Sequence, residues 1–122
     1  MAKVILIVED EPKNLKLVSD LLQVSGYATI EATDGEQGVE LAKARKPDLI
    51  LMDIMMQVMD GLEATRILKA DVTTRNIPVL ALTSYAMAGD KERILQAGCD
   101  GYLTKPIDIK EFLKTVGEYL SE

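Results

Sequence analysis

Residues 47–53 read PDLILMD: an apolar run, Leu49-Ile50-Leu51-Met52, entered through Pro47-Asp48 and closed by Asp53. Four apolar residues without polar alternation suit a strand buried on both faces. Residues 4–10, VILIVED, repeat the arrangement, with the β-branched-rich run Val4–Val8 closed by Glu9-Asp10. Strands of this kind belong to parallel sheets, and ligands of such sheets bind outside the carboxyl ends of the strands.

Outward from these two runs, strands and helices alternate. Pro12 suits the first turn of a helix whose apolar residues Leu15, Val18, Leu21 and Leu22 recur at helical spacing, with Gly26 as its stop. Ala28–Ala32 reads as a less buried strand, and Asp34 caps a helix with Val39 and Ala42 on its inner face. After Leu49–Met52, Gly61 opens a helix through about Ala70, and Asp71–Asn76 is polar and loop-like. Val79–Leu82 is the fourth strand, a helix runs from about Met87 to Ala97, and Gly101–Thr104 is the fifth strand. Asp108 with Glu111 caps a last helix with the stripe Phe112, Leu113, Val116, Leu120. Five strands alternating with five helices predict an α/β, doubly wound parallel sheet covered on both faces.

The 122 residues suit one domain, residues 1–122. No apolar run approaches the ~20 residues of a membrane helix, and no secretory signal is visible. The lone Cys99 cannot form an internal disulfide, which fits a cytoplasmic setting. A net charge of −6 argues against non-specific nucleic-acid binding. The chain has no histidine, which removes His triads, His metal sites and internal phosphohistidine chemistry.

Four strand ends carry candidate site residues: Glu9-Asp10, Asp53, Thr83-Ser84 and Lys105. Singly, each has a plainer reading: Asp10 as a helix cap, Lys105 as a surface lysine, Thr83-Ser84 as a strand-end turn. Together they form a coherent set. Two carboxylates about 4 Å apart repel by roughly 4 kcal/mol at an effective dielectric near 20, so one takes a proton or a divalent cation joins them. Oxygen ligands in a small site suit Mg²⁺. An Asp beside Mg²⁺ can act as a nucleophile toward phosphorus, with a lysine neutralising the phosphoryl oxygens and Thr83 hydrogen-bonding one of them.

At these residues the chain resembles the response-regulator receiver domain of two-component signalling. The matching segments are VILIVEDEPKN, PDLILMDIMM, MDGLEATR, IPVLALTSYAM and AGCDGYLTKPI, in order along essentially the whole chain. The resemblance implies a flavodoxin-like fold with strand order 2-1-3-4-5. It implies Asp53 as phospho-acceptor, Mg²⁺ held by Asp10, Asp53 and the Met55 backbone carbonyl, with Glu9 mainly through water, and Lys105 as the phosphate-binding lysine. Thr83 and Tyr102 fall at the switch hydroxyl and switch aromatic, and Pro106 at a proline that follows a cis peptide bond. Gln57 stands where family members often have proline, so a more mobile loop is expected between Asp53 and Gly61. Met55 and Tyr85 occupy positions that tune dephosphorylation in the family.

The implied function is a switch that takes a phosphoryl group from a sensor histidine kinase or histidine phosphotransfer protein and signals by docking to a downstream protein. It is not an enzyme beyond its own phosphorylation and dephosphorylation, and it is expected as a monomer or weak dimer without nucleic acid or membrane. Ending just after the fifth helix, it resembles stand-alone receivers, those of cell-cycle polarity somewhat more than those of chemotaxis, through AMAGDKERI and AGCDGY. Three alternatives stay open: a receiver cut from a hybrid kinase, a haloacid-dehalogenase-type phosphatase and a flavodoxin-like flavin binder. The phosphatase family wants a second Asp where Met55 stands, and the flavin binder a phosphate cradle absent here.

Overall fold

The computed structural model describes residues 2–56, 59–84 and 88–120. Strands β1 (Val4–Val8), β2 (Ala28–Ala32), β3 (Leu49–Asp53), β4 (Val79–Thr83) and β5 (Gly101–Thr104) alternate with helices α1 (Pro12–Val24), α2 (Gly35–Arg45), α3 (Gly61–Ala70), α4 (Ala88–Gln96) and α5 (Ile109–Leu120). The strands form one parallel sheet in the order β2-β1-β3-β4-β5. This is the expected doubly wound, flavodoxin-like architecture. The order reverses between β1 and β3, so the crevice at their carboxyl ends is the switch point where such sheets bind ligands.

The apolar runs form strands because both of their faces are covered. Along β1, Leu6 and Val8 enter one core with Val39, Ala42, Leu68 and Ile94, while Ile5 and Ile7 enter the other with Val18, Leu22, Phe112 and Val116. The first core lies under α2, α3 and α4, the second under α1 and α5. The two edge strands, β2 and β5, are partly exposed, and β2 alternates in sequence accordingly.

Local signals set the helix ends. Gly26, at φ 96°, follows the Ser25 cap of α1 in the left-handed region that suits glycine. Asp34 and Asp60 cap α2 and α3 by accepting the Gln37 and Glu63 N–H groups, each at 2.8 Å. The cap of α1 is Glu11, which accepts the N–H groups of Lys13 at 2.6 Å and Asn14 at 3.0 Å. This corrects the plain reading of Asp10 as a cap and leaves the Asp10 carboxylate available to the crevice.

Two strands run one residue further than their apolar runs. Asp53 pairs with Leu82, and Thr83 with Thr104, so both polar residues are held in the ladder rather than in the loops after it. Helix α4 ends at Gln96, one residue short of the expected end; its expected start at Met87, with Gln57 and Tyr85, lies outside the described residues.

Gly61 closes the β3–α3 loop by donating its N–H to the Ile54 carbonyl at 3.0 Å. A Cβ at this position would overlap the Asp53 carbonyl oxygen and come within 2.8 Å of the Ile54 Cα. Helix propensity alone would make Gly61→Ala stabilising by about 1 kcal/mol. The backbone overlap reverses the sign, and a net loss of about 1–3 kcal/mol is expected from urea unfolding. A stabilised Gly61→Ala protein would show that the close approach is not a constraint.

Candidate functional site

Strand parity divides the crevice. Glu9 follows Ile5 and Ile7, Asp53 follows Leu49 and Leu51, and Lys105 follows Leu103; all these apolar residues face the core under α1 and α5. The ladder continues one residue past β1 and β5, since the Glu9 N–H donates to the Ala32 carbonyl at 3.0 Å and the Lys105 N–H to the Thr83 carbonyl at 2.8 Å. Glu9, Asp53 and Lys105 therefore lie on the same side of the sheet edge. Thr83 follows Val79 and Ala81, and Tyr102 stands opposite Ala81, so these two belong to the side covered by α4.

On the first side, Lys105 Nζ lies 3.0 Å from Glu9 Oε1 and 3.2 Å from Asp53 Oδ1. Glu9 is fully buried and Asp53 nearly so. The Lys105 side chain is only 17% exposed, so it is a half-buried counter-ion and not the surface lysine that its residue type suggests alone. Asp53 Oδ1 also accepts the Met55 N–H at 3.2 Å, and Glu9 Oε2 the Glu11 N–H at 3.4 Å. Asp10 is exposed, with a carboxylate oxygen within 4.8 Å of oxygens from both buried acids. The Lys105–Pro106 peptide is cis.

The charges account for the titration. Burial first, then hydrogen bonding to and repulsion by Glu9, push the Asp53 carboxyl up from 3.8 to about 7, with Lys105 opposing the rise. Burial also pushes Glu9 up, but hydrogen bonds from Asp53 and Lys105 outweigh it and hold Glu9 below its usual range. Burial works against the Lys105 ammonium, yet Glu9 and Asp53 together raise its pKa. A hydrogen bond between two carboxyls requires a proton, because carboxylates only accept. Below about pH 7 the pair thus holds one proton, on Asp53, and the trio is neutral.

This donor set fits a hard divalent cation. It offers only oxygens, from Glu9, Asp10 and Asp53, and the shared proton occupies the place of a missing positive charge. On the other side, Thr83, Met55, Leu62, Arg93 and Ile94 line a cavity of about 450 Å³, and an adjoining one of about 400 Å³ reaches Asp10. Sequence reading missed Arg93, which borders both and pairs with Asp90 at 3.6 Å. Its one signal is the Asp90–Arg93 spacing on a helix, which is common among solvated faces.

The chain belongs to the response regulator receiver domain family, whose model matches residues 5–117. It is therefore a receiver of two-component signalling, a signalling switch rather than a metabolic enzyme, which sets aside the phosphatase and flavin-binding alternatives. It is 48% identical, over 122 residues, to the polar-differentiation response regulator DivK of Brucella anthropi, covering 100% of this chain and 99% of that protein. The receiver domain of the sensor histidine kinase PA1611 from Pseudomonas aeruginosa, with a magnesium ion coordinated in its active-site cleft, superposes with a TM-score of 0.93 at 37% identity and full coverage of both chains. The Vibrio cholerae chemotaxis protein CheY4 gives a TM-score of 0.93 at 29% identity, covering 98% of this chain and 100% of that one.

The folded protein holds a proton on Asp53 that the unfolded chain sheds from about pH 3.8, so stability falls as pH rises from there to about 7. Glu9 acts in a separate window, losing its contribution as pH falls below its ordinary 4.5. Between pH 5 and 8 the metal-free protein is expected to lose on the order of 2 kcal/mol relative to Asp53→Asn, measured by urea unfolding in chelator. Mg²⁺ should restore more stability at pH 8 than at pH 5. Parallel pH profiles in the two proteins would remove Asp53 as the cause.

Proposed function

We propose that this chain is a phosphorylation switch in which Asp53 accepts a phosphoryl group from a phosphohistidine of a sensor histidine kinase or histidine phosphotransfer protein. The observation that carries this reading is the Lys105 ammonium bridging Glu9 and Asp53 beside the exposed Asp10. Asp10, Asp53 and the Met55 carbonyl would hold Mg²⁺ directly, and Glu9 mainly through water. Bound there, the ion supplies positive charge for the acidic cluster and for the phosphoryl oxygens.

In the transfer, an Asp53 carboxylate oxygen attacks phosphorus, the new O–P bond forms, and the N–P bond to the donor imidazole breaks, its electron pair returning to that nitrogen. The chain has no histidine, so the donor comes from elsewhere. Lys105 is already within reach of Asp53 and balances charge on the transferred group. Thr83, on the neighbouring strand, turns its hydroxyl toward a phosphoryl oxygen. Charge-assisted contacts are each worth roughly 1.5–3 kcal/mol, and two approach the ~5.5 kcal/mol that a swing from 1:99 to 99:1 requires. Tyr102 follows Thr83 inward, and the surface of α4, β5 and α5 changes for a downstream protein.

The reading extends to a receiver of the DivK kind, supported by the 48% identity to DivK. A receiver of a hybrid kinase is the second reading, favoured by the 37% identity to the PA1611 receiver. Either way, Asp53→Asn should abolish the single phosphoryl adduct formed with acetyl phosphate and Mg²⁺, read by intact mass. An unchanged adduct would move the acceptor elsewhere. Thr83→Ala should take up phosphoryl as the parent does, while the amide shifts that beryllofluoride induces along α4, β5 and α5 shrink severalfold. Shifts of parental size would separate Thr83 from the switch.

A further inference from the structure

Tyr102 has a neighbour that the mechanism above does not use. Lys91 Nζ lies 5.5 Å from the centroid of the Tyr102 ring, within the range at which an ammonium is attracted by the ring quadrupole. The helix and ladder geometry produces the contact. Ile94 is buried against the sheet in the same core as Ala81, and Ala81 is the ladder partner of Tyr102. Lys91 precedes Ile94 by three residues, so it stands one turn earlier on the same side of α4. From there its exposed ammonium reaches the half-buried ring. Thr83, two residues beyond Ala81, belongs to the same face.

Turning inward behind Thr83 would carry the ring away from the place it holds 5.5 Å from the Lys91 ammonium. The contact is thus made in one of the two states, and only a contact of that kind shifts a conformational equilibrium. We propose that Lys91 is a positioning residue that holds Tyr102 in its resting place and sets how much phosphoryl occupancy at Asp53 is needed to turn the switch. This rests on the phosphorylation-switch reading of the site. By linkage, the same contact weakens the affinity of the resting protein for a phosphoryl mimic by the factor with which it favours the resting ring.

Fluorine NMR of protein labelled with 3-fluorotyrosine tests it, the Tyr102 resonance being assigned with Tyr102→Phe. In the parent, beryllofluoride with Mg²⁺ should displace this resonance. Lys91→Met, at an exposed position, keeps length and removes charge. It should move the resonance of the Mg²⁺-only protein toward the activated position and lower the beryllofluoride concentration at half response about two- to fivefold. Lys91→Arg keeps the cation and should stay near the parental midpoint. A midpoint unchanged or raised in Lys91→Met, or lowered equally in Lys91→Arg, overturns the role of Lys91 while leaving the switch intact. A Tyr102 resonance that beryllofluoride does not move in the parent overturns the switch reading and the proposal with it.

Discussion

The Lys105 ammonium stands between two buried carboxyls, and the crevice is organised by that contact. An unpaired buried charge costs several kcal/mol, so neither Glu9 nor Lys105 would be tolerated there alone. Glu9 and Lys105 are 96 residues apart, just after the first strand and just after the last. They meet because β1, β3, β4 and β5 lie side by side with their carboxyl ends at one edge. Asp53, between them in the sheet, completes the trio and keeps a proton near neutral pH because two negative charges beside one positive charge would leave a net charge buried. The trio is thereby one positive charge short of holding both of its acids ionised.

That deficit joins structure to function. The exposed Asp10 opens the trio to solvent, and a hard cation arriving there can take the place of the shared proton. The family to which the chain belongs uses such an acidic pocket in two-component signalling. Strand parity then separates tasks. Glu9, Asp53 and Lys105 lie on the α1 and α5 side, while Thr83 and Tyr102 lie on the α4 side. In the sheet, Asp53 and Thr83 are one short step apart from β3 to β4, since Asp53 pairs with Leu82, next to Thr83.

Much of this was legible one element at a time. The runs Val4–Val8 and Leu49–Met52 announce strands covered on both faces, since only a doubly covered strand tolerates continuous apolar sequence. The Asp34 cap and the Gly26 stop are local signals, because each satisfies hydrogen bonds within a few residues. Two features escaped for the same reason in reverse. Glu11 caps α1, although the acid before it is equally suited by type. Asp53 and Thr83 continue the ladder as polar residues, which an apolar pattern cannot register.

The sequence by itself determined the alternation of elements, their two-sided burial and the placing of acids, a hydroxyl and a lysine at strand ends. It did so because hydrophobic periodicity and capping act over a few residues. Only the tertiary structure decided which of these groups touch. It put Lys105 against Glu9 and Asp53, left Asp10 free of the helix cap, and set Lys91 over Tyr102. Those outcomes depend on strand order, register and pleat parity, which arise when the strands pair and are written in no single segment.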